Sequence, residues 1–310
     1  MRSSDSLVIA SAEKTPEKLL AAWTASRSGH TRRAYARDLD SFAAWLGMTA
    51  GAAVAELLGG GAGHANALVL DWQREVLDVE QLAAATWNRR LCALRSLVQL
   101  AGLLGIVAWR LEVPLTRDHG RRDTAGPGPA AVGATLGELA ARADAKGLRD
   151  VAIVRLLADL ALWVGEVVSL DFEHVTAGSV AVSGAVHILG KGRRRREAIA
   201  LPAPTAAALR AWLEVRGSGP GPLFHGFTRH GAPVAGRLAV RSVQRMLEPH
   251  GIRPHGLRHT AITAVLEVSG GDVRAAAQYS RHADLRTLTV YDDNRRGHAA
   301  RLAAHVAGLW

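Results

Sequence analysis

Apolar residues at helical spacing dominate the first third of the chain. Thr15-Pro16-Glu17 supplies a helix start: a capping hydroxyl, a proline at the first helical position and an acid in the first turn. Thr31 opens a second helix, with Tyr35, Leu39, Phe42 and Leu46 recurring on one face and Gly47 as its stop. A third helix is expected over about 66–78. A fourth starts near Thr86 and places Leu91, Leu94, Val98 and Ala101 on one side. Residues 1–112 therefore read as a small all-helical bundle.

The pattern breaks over residues 113–134. Gly126-Pro127-Gly128-Pro129 and the scattered Arg117, Arg121 and Arg122 mark this stretch as an interdomain linker without a regular element. The helical period resumes at Leu136 and runs to Leu170, with a break near Gly147. The period then becomes two over residues 179–182, 186–189 and 197–201, and Gly190-Lys191-Gly192 turns the chain between the last two runs. Helical spacing returns at Pro204, apart from a Gly/Pro-rich loop at 217–222. Residues 135–310 are thus a mostly helical domain with a small antiparallel sheet. The whole chain is expected to be mainly α. No internal repeat is visible.

Composition narrows the possible partners. The net charge of +10 and the pI of about 10.8 favour a polyanion, nucleic acid first. Arg32, Arg33 and Arg37 on one helix, and Arg89, Arg90 and Arg95 on another, are candidate phosphate contacts. Cys92 is the sole cysteine, which excludes an internal disulfide or a cysteine-based metal site and fits a cytoplasmic protein. The apolar run at the N-terminus is too short for a signal peptide. The run over 151–168 is interrupted by Arg155, Asp159 and Glu166, so it reads as a buried helix and not a membrane span.

Candidate chemistry concentrates near the C-terminus. His255-x-x-Arg258 follows Pro254 at a helix start, where backbone amides favour phosphate. His282 and Tyr291 follow, nine residues apart. An arginine and histidines are the groups that polarise a phosphodiester and move its protons, and a tyrosine hydroxyl is a nucleophile once its target is polarised. Tyr279 is a rival nucleophile, disfavoured because it precedes His282. Lys191, on a hairpin tip followed by Arg193, Arg194, Arg195 and Arg196, can donate a proton to a leaving oxygen, which arginine does poorly. His255 and His259 stand four apart, but no acid lies between them and no third metal ligand is evident.

Lys191, His255-x-x-Arg258, His282 and Tyr291, in that order, resemble the tyrosine recombinases, the phage integrase family. The likeness extends from about Pro16 to the C-terminus. It implies a helical, SAM-like core-binding domain and an α+β catalytic domain that close as a C-shaped clamp on duplex DNA. Tyr291 would attack the scissile phosphate and form a 3′-phosphotyrosine. Arg258 would stabilise the non-bridging oxygens, Lys191 would protonate the leaving oxygen, His255 would assist at the nucleophile and His282 would bind the phosphate. Neither metal nor nucleotide cofactor is implied, nor a small-molecule substrate or a membrane. In relatives the C-terminal tail docks on a neighbouring protomer of a tetramer on paired DNA sites, and Ala299, Leu302, Ala303, Val306 and Trp310 fall on one face of such a tail.

One catalytic position departs from the family pattern of Gly-Leu-Arg followed, after two residues, by glutamate. The chain reads Ala161-Leu162-Trp163-Val164-Gly165-Glu166. Glu166 aligns with the glutamate, so Trp163 stands where the first catalytic arginine belongs. Taken alone, Trp163 reads as a core aromatic. Arg155 lies eight residues upstream, about two helical turns, and is not placed to replace the arginine. The expected activity is impaired site-specific recombination. The alternatives are a weak or inactive DNA-binding protein of recombinase descent, or a type IB topoisomerase-like enzyme.

Overall fold

The computed structural model describes residues 15–25, 29–117, 126–176, 184–190, 193, 195–282, 284, 285, 288, 303, 304 and 306–308. The chain divides into two compact units, Met1–Arg121 and Arg122–Trp310.

The first unit is helical: α1 (Pro16–Ala25), α2 (Gly29–Trp45), α3 (Ala50–Gly59), α4 (Gly61–Arg74) and α5 (Ala84–Leu103), with a π-helical turn at Glu75–Val79. Gly47 ends α2 with φ 67, the left-handed geometry glycine adopts without cost. The core is aromatic. Phe42 and Trp72 meet at 5.0 Å and Trp72 and Trp87 at 5.2 Å, while Trp23 stacks on Tyr35 and donates to the Ser96 hydroxyl. Helix α3 has no counterpart in the expected set. Its sequence is almost wholly small and apolar, and it is held by the Thr49 cap on the Ala52 amide.

The arginines of this unit divide. Arg32, Arg33 and Arg37 are exposed on α2. Arg89 instead pairs with buried Asp38 at 2.6 Å, Arg95 donates to the Val113 carbonyl, and the Arg90 guanidinium lies over the Trp72 ring. The α5 arginines are thus partly committed to the fold.

The second unit comprises α6 (Gly128–Ala140), α7 (Ala145–Asp159), α8 (Val164–Val168), α9 (Ala203–Arg216), α10 (Val240–Leu247), α11 (Pro254–Val268) and α12 (Val273–Ser280). A three-stranded antiparallel sheet has the order β1 (Val175–Thr176), β2 (Ala185–Ile188), β3 (Glu197–Ala200). Val186 pairs with both Val175 and Ile199. A second hairpin joins β4 (Gly226–Phe227) to β5 (Pro233–Val234). Helix α7 buries Ala152, Ile153, Val154, Leu156 and Leu157 and forms the centre of the core. Among the described residues no single helix is long and apolar enough to cross a membrane.

The expected linker of 113–134 is too long at both ends. Val113 is buried in the first unit's core, and Thr116 exchanges hydrogen bonds with Asn88. Helix α6 begins at Gly128, with Pro129 in its first turn, where a missing N–H costs nothing. The break expected near Gly147 falls earlier: Asp144 caps α7 through the Gly147 amide. A second break, at residues 160–163, separates α7 from α8. The expected strand at 179–182 lies outside the described residues.

The chain entering α6 is bonded to α11. The Gly126 amide donates to His259 Nδ1 at 3.1 Å and the Gly128 amide to Thr260 Oγ1 at 3.2 Å. A β-carbon at residue 126 would collide with the Thr260 hydroxyl and amide nitrogen and with the Gly256 carbonyl. Gly126→Ala should therefore destabilise the protein by about 1–3 kcal/mol, read as a lower denaturant midpoint with unchanged m-value.

Candidate active site

Three segments converge: the turn at 160–163 between α7 and α8, the first turns of α11, and the C-terminal end of α12. Arg258 is 1% exposed and joins all three. Its Nη1 donates to the Ala161 carbonyl, and its Nη2 donates to the Ser280 carbonyl at 2.6 Å and lies 3.5 Å from His282 Nε2. A guanidinium is always charged, so burying it demands such acceptors, and they fix the plane of its fork.

His282 sits between Arg258 and Ser280. Its Nδ1 is 2.6 Å from Ser280 Oγ, which donates to the Ala276 carbonyl. Because the Ser280 proton is spent on Ala276, His282 Nδ1 is assigned the proton and Nε2 accepts from Arg258. Burial, then Arg258, Arg281 and His255, push the His282 imidazole down to about 4. His255 is lowered too, by burial first and Arg258 second. Both imidazoles are neutral at neutral pH.

Trp163 is not a core residue; it is 44% exposed. It precedes α8 in extended geometry, where the expected box would have ended a buried helix. Its ring stacks on the His255 imidazole at 5.6 Å and 18°, and the Arg258 guanidinium lies 4.5 Å from its centroid. A cation held against an indole face contributes about 0.5–2 kcal/mol. Trp163, His255 and Arg258 line a cavity of about 700 Å³ with Arg241, Gln244 and Arg253 among its other walls.

Glu166 accepts from the Trp163 amide at 2.8 Å and from Arg281 Nη2 at 3.0 Å. Arg281 and Ser280 also belong to the site. Their only signal was adjacency to His282. Arg155 is engaged with Asp159 at 3.4 Å. The Tyr279 hydroxyl donates to the Asp159 carbonyl, and burial raises its pKa to about 12, so it makes a poor nucleophile. His255 and His259 face different partners, Trp163 and Gly126. Lys191, Arg194 and Tyr291 lie outside the described residues, as do Ala299, Leu302 and Trp310. Arg193 pairs with Glu197, and Ala303 and Val306 are exposed. Leu288, three residues before Tyr291, is buried with Ala161 and Ile262.

The family model for the phage integrase family matches residues 135–298, and that for the phage integrase N-terminal SAM-like domain matches 22–102. A tyrosine recombinase of Synechococcus elongatus is 37% identical over 91% of this chain and 90% of its own. One from Synechocystis is 36% identical over 91% and 92%. Among solved structures, a lambda integrase dimer bound to a COC′ core site gives a TM-score of 0.60 at 14% identity, covering 90% of this chain and 95% of that one. The Tn1549 transposon integrase in complex with transposon right end DNA gives 0.59 at 17%, covering 93% and 99%. At those identities the structural likeness is one of fold.

The depressed His282 has a consequence for stability. The unfolded chain takes up a proton at this histidine near 6.5, the folded protein only near 4. Unfolding therefore binds protons in that window, and stability should fall as pH drops from about 6.5 towards 4. His255, shifted in the same direction, adds to the slope. His282→Gln should flatten the profile, measured by denaturant titration at successive pH values.

Proposed function

The chain belongs to the phage integrase family of tyrosine recombinases, and from that premise we propose a site-specific DNA recombinase whose strand cleavage is slowed by Trp163. The observation that carries this reading is the convergence of Arg258, His255 and His282 beside Trp163.

In this reading the Tyr291 hydroxyl oxygen attacks the scissile phosphorus, the bond to the 5′ oxygen breaks, and a 3′-phosphotyrosine forms. His255, neutral at working pH, accepts the tyrosine proton. Lys191 gives its proton to the departing 5′ oxygen. Arg258 neutralises charge on the non-bridging oxygens. His282 donates to one of them, which requires Nε2 to gain a proton that an arriving phosphate would favour. A 5′-hydroxyl from the partner duplex then reverses the step. The ester conserves the bond energy, so the chemistry asks for no nucleotide.

The partner is double-stranded DNA, gripped by the first unit through Arg32, Arg33 and Arg37, with Arg89, Arg90, Arg95, Arg193 and Arg194 as further contacts. A homotetramer on paired sites, joined through the C-terminal tail, carries out the exchange in the cytoplasm. The helical residues 1–112 act as the core-binding domain and the α+β residues 135–310 as the catalytic domain, in line with family matches over 22–102 and 135–298.

Trp163 offers a single neutral N–H in place of a cationic fork. Loss of one preorganised donor costs on the order of 10²–10³ in rate, and loss of a cation at a transferring phosphoryl group about 10³–10⁵. A nicked suicide duplex should trap a covalent adduct slowly. Trp163→Arg should speed its formation at least about 10²-fold, and Tyr291→Phe should abolish it. No acceleration by Trp163→Arg would refute the impairment. Duplex binding with no adduct from either form would make the chain a binding protein of recombinase descent. Relaxation of supercoils by monomers without a specific site would make it topoisomerase-like.

A further inference from the structure

Arg281 has a left-handed backbone, φ 61 and ψ 31, at the C-terminal end of α12. A side chain other than glycine or asparagine is strained there and persists where its surroundings hold it. Both arms of this guanidinium are engaged. Nη1 donates to the Leu160 carbonyl at 3.2 Å and Nη2 to Glu166 Oε2 at 3.0 Å. The ion pair is well buried, with side chains 10% and 9% exposed. The turn it grips contains Ala161, itself left-handed at φ 48, and the same Glu166 oxygen accepts the Trp163 amide.

We propose that Arg281 is a positioning residue for strand cleavage: with Glu166 it clamps the 160–163 turn to the 280–282 turn, and so fixes Arg258 and His282 where a phosphate meets them. This rests on the reading of the site as a DNA-cleaving centre. Arg258 takes one carbonyl from each clamped segment, Ala161 and Ser280. If the segments separate, its two acceptors move apart and the fork loses its plane. His282 follows Arg281 directly, and its imidazole is tied to Ser280 on the other side. The Arg281–Glu166 pair is neutral as a unit, so it supplies geometry and does not replace the cation missing at residue 163.

The test compares the full-length protein with Arg281→Gly, in which glycine fits the left-handed backbone but opens the clamp, and with Glu166→Gln, which retains an acceptor for the Trp163 amide. Arg281→Lys keeps one arm. Three readouts are taken: thermal unfolding, duplex binding, and adduct yield on a suicide duplex beside Tyr291→Phe. Histidine NMR follows the His282 titration, assigned with His282→Gln; Arg258, Arg281 and His255 are the charged or titratable groups acting on it. We expect folded Arg281→Gly to bind duplex as before, to lose about 10- to 100-fold in adduct rate, and to titrate His282 upward from about 4. Arg281→Lys should recover part of the rate. An unchanged adduct rate in folded Arg281→Gly would overturn the proposal, since the loss of the Arg281 charge by itself moves the His282 titration upward. Should Arg281→Gly not fold, Glu166→Gln decides by the same two readouts. If the unaltered protein forms no adduct, or if its adduct survives Tyr291→Phe, the cleavage reading fails, and the His282 titration in Glu166→Gln, which keeps the Arg281 cation, still decides whether the clamp positions the site: an unchanged titration there overturns it.

Discussion

A buried cation organises this protein's second unit. Arg258 is almost wholly removed from water, and a guanidinium in that position is tolerated only with acceptors on its fork. Two are backbone carbonyls, and neither belongs to a regular helix interior. Ala161 presents its carbonyl from a left-handed turn that ends α7, and Ser280 presents its own from the last turn of α12. The breaks in the helical pattern at residues 160–163 and after Ser280 are therefore what a buried arginine requires. A continuous helix through residues 160–163 would spend the Ala161 carbonyl on its own ladder.

Helix α11 is held at the same turn from its other side. Gly126 and Gly128 bond to His259 and Thr260, the residues next to Arg258. The segment that leads into α6 is thus fastened to the helix that carries His255 and Arg258. The absence of a β-carbon at Gly126 permits this approach, because the Thr260 amide and hydroxyl occupy the space a side chain would need.

Much of this was legible in the sequence, and what was not has identifiable causes. The order of His255, Arg258 and His282 matched a family pattern, and the structure brings Arg258 beside both histidines. Glu166 set the register from which Trp163 is read at the arginine's position. That Trp163 is exposed and stacked was not legible, because an aromatic residue beside an apolar run matches a core position equally well. Helix α3 was missed because its alanines and glycines carry no polar face to define a period. The linker was overextended because Gly128-Pro129 reads as a turn, yet proline is at home in a first helical turn. Arg89 reads in the sequence as a candidate phosphate contact, since its partner Asp38 lies far off in sequence, on another helix. Arg281 carried no signal of its own, as its partners Leu160 and Glu166 are more than a hundred residues away.

The tryptophan has a stabilising logic of its own. Two arginines side by side repel, and an empty phosphate site built from them stores that repulsion until an anion arrives. With Trp163 in place, Arg258 meets the negative face of an indole ring at 4.5 Å, and the resting site is relaxed without a ligand. On the proposed mechanism, less of the phosphate's binding energy would come from relieving repulsion, and one fewer cation would be present when charge develops on the transferring group. In the proposed reading, the same residue that eases the folded state weakens the discrimination between ground state and transition state. This is the usual direction of exchange between stability and activity at a preorganised site. It also explains how Arg258 and His282 remain in register around Trp163: their anchors are Ala161, Ser280 and Ser280 Oγ, and none of these depends on what side chain occupies position 163.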